Sequence, residues 1–488
     1  MVGPDRFRFL NVEMQCADAA GWADSGRPLL WTYHLHYFED LNAVDARSRR
    51  AWHERLIERW IEQNPPGKGP GWDPYPLSRR VANWVKWSLR GNALTRAARD
   101  SLAVQLRWLA RRLETHLQGN HLFVNAKALV LGGLYFEGEE ARRWLQSGLS
   151  MMRREIEEQI LPDGGHFERS PMYHASFIED LLDLAAALQS YGCDPEPGLD
   201  RHIVRMIEWL DVMSHPDGGI AFFNDAALGV APTLGQLRGL ASRLGLTSVP
   251  ERAVGLRQLP ASGYLSVDSP PFHLLCDVAP IGPDHLPAHA HADTLSFELS
   301  YAGRRLIVNS GTSQYGADAE RQRQRGTAAH NTIVIDAQDS SEVWSAFRVA
   351  RRARARLLEA HGDRRAVVIS GEHDGYLRLG RRNTHRRTWR LENGELSIED
   401  EVPGRVRSAV AYFHLHPEIS ARRVADGVLR LSDGGRALVD IRFEGAGRIE
   451  VAESTWHPQF GRTLPNLRIA ASLSGPRLIT RIRRSEAA

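Results

Sequence analysis

The period of the hydrophobic pattern changes once along this chain, and that change limits what the chain can fold into. Up to about residue 245, apolar residues recur at helical spacing. In 47–62 (RSRRAWHERLIERWIE), Trp52, Leu56, Trp60 and Ile61 follow it. Similar patterns return at about 76–90, 95–117, 125–136, 139–159, 172–191 and 197–214, bounded by punctuation such as NPPGKGPG, QGNH, LPDGG and SHPDGG. Antiparallel helices with short links predict a bundle, solenoid or toroid, and the spacing leaves closure into a ring open. From about residue 262 the runs are short and alternating or wholly apolar: GYLSVD, FHLLCDV, TLSFELSY, RRLIVNSG, NTIVIDA, RAVVISGEH, ELSIEDEV, AVAYFHLH and RALVDIRF. Turn pairs such as Asn393-Gly394 and Asp426-Gly427 separate several of them, which is the pattern of an antiparallel β-sandwich. The expected fold class is α+β multidomain, with a helical domain over 1–250 and a sandwich over 251–488.

Composition narrows the function classes. The 488 residues are 42% hydrophobic and 25% charged, which excludes disorder as the main state. No apolar run approaches the ~20 residues of a membrane-spanning helix. The net charge of +3 gives no support to a nucleic-acid or membrane-surface role. Only Lys68, Lys86 and Lys127 among the 62 basic residues are lysines, so the cations are arginines, some of them available as bidentate anion clamps. Cys16, Cys193 and Cys276 are too few and too scattered for a disulfide framework or a cysteine metal site. The first residues contain no apolar core of a signal peptide, so the chain as written is expected either to be cytoplasmic or to lack its natural leader.

Residues with chemistry gather in a few places. In HLPAHAHAD (285–293), His289 and His291 are two apart and would share a face on a strand, with Asp293 continuing it. Asn309 (VNSGT) and His330 (AHN) follow, and two histidines plus an oxygen ligand would suit a zinc-like ion. Surface or hydrogen-bonded core histidines are the alternative. In DGGHFERSPMYH, Glu168 and Tyr173 flank a helix start at Ser170-Pro171; they point into a cleft, or they are a helix-end carboxylate and a core tyrosine. Asn120 and His121 sit just before a predicted helix, where asparagine is a common cap, and the same pair can bind a carboxylate. Arg80 and Trp84 share a helix side and suit an anionic sugar, or form a solvated arginine over a core tryptophan. In FFNDAALG, Asn224 and Asp225 follow an apolar run; Asn224 is a further substrate contact, or the pair forms a turn. Tyr315, in the TSQYG segment, is taken as a substrate contact. Arg348, in the arginine-rich run 340–356, is another, for sulfate or carboxylate, unless that run is an alternating strand with a solvated face.

HAHADTLSFEL, GTAAHNTIVID and DGGHFERSPMYH, in this order after GNH, resemble the heparinase II/III superfamily of polysaccharide lyases over nearly the whole chain. The resemblance implies an N-terminal incomplete (α/α) toroid and a C-terminal antiparallel β-sandwich. It also implies β-elimination on a uronic-acid-containing polysaccharide, glycosaminoglycan-like or bacterial, and a periplasmic or secreted location. Residue by residue, it makes Tyr173 the catalytic tyrosine, Asn120 and His121 the pair that meets the substrate carboxylate, and His289 the histidine at the active-site edge. His291 and His330 become two ligands of a structural divalent metal, zinc by its donor set. The third ligand is usually an aspartate, and here that place is held by Asn309. No nucleic-acid partner is expected.

The chemistry accounts for these residue types. The C5 proton lies α to a carboxylate and is very weakly acidic. A site must therefore neutralise that carboxylate, take the proton and protonate the leaving O4. Tyrosine, with an ordinary pKa of about 10, needs cationic neighbours to act as the base; Arg80 and the histidines are candidates. On one C5 stereochemistry Tyr173 would be both base and acid; on the other, His289 would be the base and Tyr173 the acid. The competing readings are a toroid glycoside hydrolase using Asp163 and Glu168 as its two carboxylates, and a non-catalytic polysaccharide-binding protein of an exopolysaccharide system.

Overall fold

The computed structural model describes residues 1–194, 196–246, 254–363, 365–380 and 383–486. The expected boundary at 250/251 falls outside them. By internal contacts the chain forms two compact units, one of Met1–Gln159 with Asp180–Asp200 and one of Ile160–Glu179 with Arg201–Ala488.

Ten α-helices occur among the described residues: α1 (Leu29–Tyr37), α2 (Arg50–Gln63), α3 (Pro74–Leu89), α4 (Arg96–Leu109), α5 (Gly119–Tyr135), α6 (Glu139–Gln159), α7 (Pro171–Ser190), α8 (Leu199–Val212), α9 (Leu234–Arg243) and α10 (Ala319–Arg325). The first six lie wholly in the first unit and have the alternating arrangement of an incomplete (α/α) toroid. α3 packs against α1, α4 and α5, and α5 against α6. The close approach of α5 and α6 is set by glycine: a Cβ on Gly133 would lie 2.6 Å from the Leu145 nitrogen. Trp22, Trp31, Trp60 and Trp84 are buried at the centre of this unit. A short hairpin, Arg6–Phe9 with Val12–Gln15, precedes the helices; nothing in the hydrophobic period announces it.

The second unit holds the sheets. An antiparallel five-stranded sheet runs Gly255–Leu259, Tyr264–Ser269, Phe272–Asp277, Phe297–Tyr301 and Arg304–Ile307 in chain order. An eight-stranded and a four-stranded sheet follow, built from Ala355–Gly362 onward, with Ile333–Ile335 contributing an edge strand of the smaller one. One core joins all three, including Leu274, Phe297, Leu306, Ile333, Trp389, Ile398, Phe413, Ile441, Ile469 and Ile482. In Glu395–Glu401, Leu396, Ile398 and Asp400 are buried while the intervening residues are partly exposed, the period-2 signature of a strand with one buried face. All nine runs read as strands in the sequence contain strands here. The long hairpin Ala446–Gln459/Arg462–Leu473 was not singled out, because its polar residues dilute the alternation.

Candidate active site

The second unit brings Tyr173, His289, His291 and Tyr315 together around a carboxylate that the sequence reading left in a turn, Asp225. The HAHAD segment is not a strand. It runs as a series of turns, with Ala290 N donating to Pro287 O (3.1 Å) and Ser296 N to Asp293 O (2.8 Å), and enters strand Phe297–Tyr301 only afterwards. His289 and His291 still face the same way, because both bind Asp225. His289 Nδ1 lies 2.9 Å from Oδ2, and His291 Nε2 2.9 Å from Oδ1. Arg321, on α10, donates to both carboxylate oxygens, and Thr312 Oγ1 donates to Oδ1. Asp225 and Arg321 are fully buried. Burial alone would raise the Asp225 pKa; the Arg321 guanidinium and the hydrogen bonds from the two histidines outweigh it and hold the carboxyl well below the usual range. An ionised carboxylate only accepts hydrogen bonds, so His289 donates to it from Nδ1, and Nε2 is the ring nitrogen not engaged by Asp225.

Tyr173 is placed by the start of α7. Ser170 caps the helix, its Oγ accepting from Tyr173 N (3.2 Å) and donating to Asp225 O. Pro171 follows at the first helical position. Arg169 and Asn224 both adopt left-handed backbone (φ 58° each), and Asn224 Nδ2 donates to Arg169 O (3.0 Å), which ties the helix start to the Asp225 loop. The turn before the helix requires glycine: Gly164 has φ 89°, and a Cβ there would sit 2.5 Å from the Arg205 carbonyl oxygen. The Tyr173 ring consequently lies against His289, centroids 4.0 Å apart, and its hydroxyl is 2.8 Å from that of Tyr315. Burial, together with Tyr315, Asp225 and Glu168, pushes the Tyr173 pKa well above its ordinary value. The expected cationic depression of this tyrosine is therefore absent. Arg80 is committed elsewhere, and Arg321, 4.9 Å from the Tyr315 ring centroid, is neutralised by Asp225.

Several expected substrate contacts turn out to be structural. Arg80 is fully buried in the first unit, donating to Gln105 Oε1, His36 O and Gly71 O and lying 3.8 Å over the Trp60 ring. Trp84 is fully buried edge-to-face against Phe38 and Trp60. Helical spacing correctly put the two on one side of α3; that side faces the core. Asn224 is spent on the Arg169 carbonyl, the Tyr264 hydroxyl and His291 N. Glu168 is buried, its carboxylate 3.9 Å from His166 Nδ1, and contributes negative potential at Tyr173 and Tyr315. Asp163, offered as half of a hydrolase pair, accepts from Gly165 N and from both the backbone and hydroxyl of Ser262. Arg348 is exposed, on the short strand Arg348–Val349.

Asn120 and His121 lie inside the first turn of α5, not before it. Gln118 occupies the cap position with φ 58° and makes no side-chain cap, so Asn120 is not the helix cap. His121 Nδ1 is 3.0 Å from Glu114 Oε1, and its ring is 4.5 Å from that of Tyr75. Asn125, one turn further on, binds the other Glu114 oxygen (2.9 Å) and fixes that carboxylate.

Of the three expected metal ligands, the two histidines lie side by side. His291 Nδ1 and His330 Nε2 face each other at 3.3 Å, close to the edge of a tetrahedron whose metal–nitrogen bonds are about 2.0–2.1 Å. Burial lowers both pKa values, that of His291 to about 4, so both rings are neutral and suited to ligation. Asp225 on the far nitrogen of His291 is the carboxylate partner that ligating histidines commonly have. Asn309 supplies less. Its Oδ1 accepts from Asn331 N and Nδ2 (3.2 and 3.3 Å), and its buried Nδ2 has no partner. Its turn is fixed by Gly311, where φ is 76° and a Cβ would meet the His457 carbonyl oxygen at 2.2 Å. Among the described residues no three of His, Cys, Asp and Glu are grouped to hold a metal ion. The two imidazoles fit zinc, whereas the Asn309 carboxamide oxygen is taken up by Asn331.

Residues 34–241 match the model of the heparinase II/III N-terminus, and residues 251–485 that of the heparinase II/III-like C-terminal domain. The chain belongs to the heparinase II/III family. Heparinase III itself, as a solved structure, covers 98% of this chain with a TM-score of 0.77 at 18% identity, over 80% of its own length. That likeness shows the shared fold: a helical N-terminal part followed by antiparallel sheets. Among curated proteins, FtsZ-localized protein C of Caulobacter vibrioides is 28% identical over 423 residues, 80% of this chain and 70% of that protein. A heparin-sulfate lyase of Bacteroides stercoris is 26% identical over 324 residues, 62% of this chain and 46% of the lyase. The matched segment thus spans about half the length of that lyase. The family is one of polysaccharide lyases.

Of the residues central to the site, Arg321 escaped the sequence reading, and Asp225 stood out only as part of a turn. Asp225 follows the noted Asn224 directly. Arg321 lies in DAERQRQRG, where Arg321 and Arg325 are four apart and share a helix face, a signal that was present but carries no apolar periodicity.

Proposed function

We propose that this chain cleaves a uronic-acid-containing anionic polysaccharide by β-elimination, with His289 as base and Tyr173 as acid. The observation that carries the reading is the Asp225–His289–Tyr173 arrangement: an ionised carboxylate on Nδ1 of a histidine whose ring lies 4.0 Å from that of a neutral tyrosine. His289 Nε2 takes the C5 proton. The electron pair forms the C4–C5 double bond, the C4–O4 bond breaks, and the Tyr173 hydroxyl delivers its proton to O4. A tyrosine held above its ordinary pKa is a poor base and remains loaded as an acid. The Tyr315 hydroxyl, hydrogen-bonded to it, positions that proton and offers a route for its return. By the family resemblance, Asn120 and His121 meet the substrate carboxylate and stabilise the charge that accumulates there. Glu114 on His121 Nδ1 leaves Nε2 for that contact. His291 and His330 would hold zinc, with the Asn309 carboxamide oxygen as the third donor once released from Asn331, and the ion would cross-link segments that are distant in sequence.

The deciding experiment is an ultraviolet product assay across heparan sulfate, hyaluronan, alginate and glucuronan. A lyase leaves a C4–C5 double bond conjugated to the carboxylate, which absorbs; a hydrolase does not. A wild type that yields no absorbing product from any of the four would overturn the reading. Retained polysaccharide binding without product would favour the non-catalytic alternative.

A further inference from the structure

A small hairpin next to the site remains unexplained by this mechanism. Val343–Trp344 pairs with Arg348–Val349 in antiparallel register, Trp344 directly opposite Arg348. Directly opposed residues project from the same face of the ladder with Cβ atoms about 4.5–5.5 Å apart. The Trp344 side chain is 54% exposed, which is unusual for an indole, and Arg348 is exposed beside it. The neighbouring Arg351 and Arg352 are paired with Glu342 and Asp284, whereas Arg348 has no acidic partner among the described residues.

The hairpin is held rigidly, by its carbonyls. Arg321 Nε donates to Ala346 O (3.0 Å). Gln322 Nε2 donates to Val343 O (2.6 Å). The buried Arg325 guanidinium donates to the carbonyls of Trp344, Ser345 and Arg348 (3.2–3.4 Å). The same guanidinium donates twice to the Ala290 carbonyl, between His289 and His291. One arginine therefore sets the position of the hairpin relative to the proposed base. The turn residue Ser345 is in left-handed backbone (φ 53°). Phe347, next to Arg348, completes the link, its ring 6.0 Å from that of His289 and 5.2 Å from that of Tyr315.

We propose that Trp344 and Arg348 form a saccharide subsite for an acidic sugar of the bound polymer beyond the residue being cleaved. The indole face takes the C–H face of the sugar ring, and the guanidinium takes its carboxylate or sulfate. This assignment rests on the lyase reading above and adds a specificity element to it. Two buried arginines spent on the backbone of a two-residue-strand hairpin suit a platform that must be presented without moving.

The test compares Trp344→Ala, Arg348→Ala and Trp344→Phe with wild type, on the polymer that wild type cleaves best and on the shortest oligosaccharide of it that is cleaved. The expected result is that the ratio of kcat/KM on polymer to kcat/KM on oligosaccharide falls about tenfold in each alanine variant, through KM. Trp344→Phe should restore most of it. An unchanged ratio, or equal losses on both substrates, would overturn the subsite. If wild type gives no unsaturated product, the lyase reading fails on its own, and the subsite is tested by electrophoresis through gels containing each polymer. Retardation of wild type that Trp344→Ala abolishes supports it; no difference between the two overturns it.

Discussion

At the residue scale, Tyr173 and Asn120 separate chemistry from structure. The Tyr173 hydroxyl is hydrogen-bonded to the Tyr315 hydroxyl, while its ring packs against His289. Tyr173→Phe should therefore fold normally and lose elimination by at least about 10²-fold in kcat, the scale of general acid–base catalysis. A well-folded Phe variant with near-normal turnover would remove Tyr173 from the mechanism. Asn120 is inside the first turn of α5, where a negative charge is favoured by the helix dipole. If Asn120 meets the substrate carboxylate, Asn120→Asp should be as stable as wild type yet nearly inactive, because the new charge would face the substrate's own. An active variant would end the carboxylate assignment. The sequence made these residues visible because their types are unusual for their setting. It could not say that Arg80 and Trp84 are core, since helical spacing places residues on a side without saying what covers that side.

At the element scale, α10 is an anchor for two loops, and Asp225 is its counterpart. Asp225→Asn keeps the volume but offers an N–H where Arg321, His289 and His291 need an acceptor. An unpaired buried arginine should cost about 3–5 kcal/mol, read as a fall in urea midpoint, and a variant within about 1 kcal/mol of wild type would show that the network has no structural weight. Arg80→Ala removes three hydrogen bonds within the first unit, from α3 to Gln105, His36 and Gly71. It should lower stability by about 3 kcal/mol without raising KM for the fraction that stays folded. A KM effect at unchanged melting temperature would return Arg80 to the substrate. Elements were legible wherever the period ran unbroken. α10 was missed because seven residues give no apolar stripe, and the Val343–Trp344/Arg348–Val349 hairpin because two-residue strands have no period at all.

At the scale of the whole molecule, the sandwich carries charges that make its stability depend on pH. Burial tends to raise the pKa of Asp400 in the large sheet, but Arg387 and His385 prevail and hold it at about 2. In the unfolded chain it returns to about 3.9, so the folded state binds fewer protons between those values. Its contribution, about 3 kcal/mol, is present above pH 4 and is lost as pH falls from about 4 to about 2. Asp400→Asn should be less stable at pH 7 and show a shallower acid limb in urea unfolding; an unchanged limb would contradict this account. The sequence by itself determined the two periods, hence helices first and antiparallel sheets after, and the motifs that mark the heparinase II/III family. Periodicity and composition are local properties, and a single chain displays them. The tertiary structure alone decided that Asp225 and Arg321, 96 residues apart, share one buried pair, that two histidines two apart in a loop face a common carboxylate, and that Tyr173 is kept neutral. Each of these depends on burial and on distances between segments far apart in the chain, and neither is written in the spacing of neighbours.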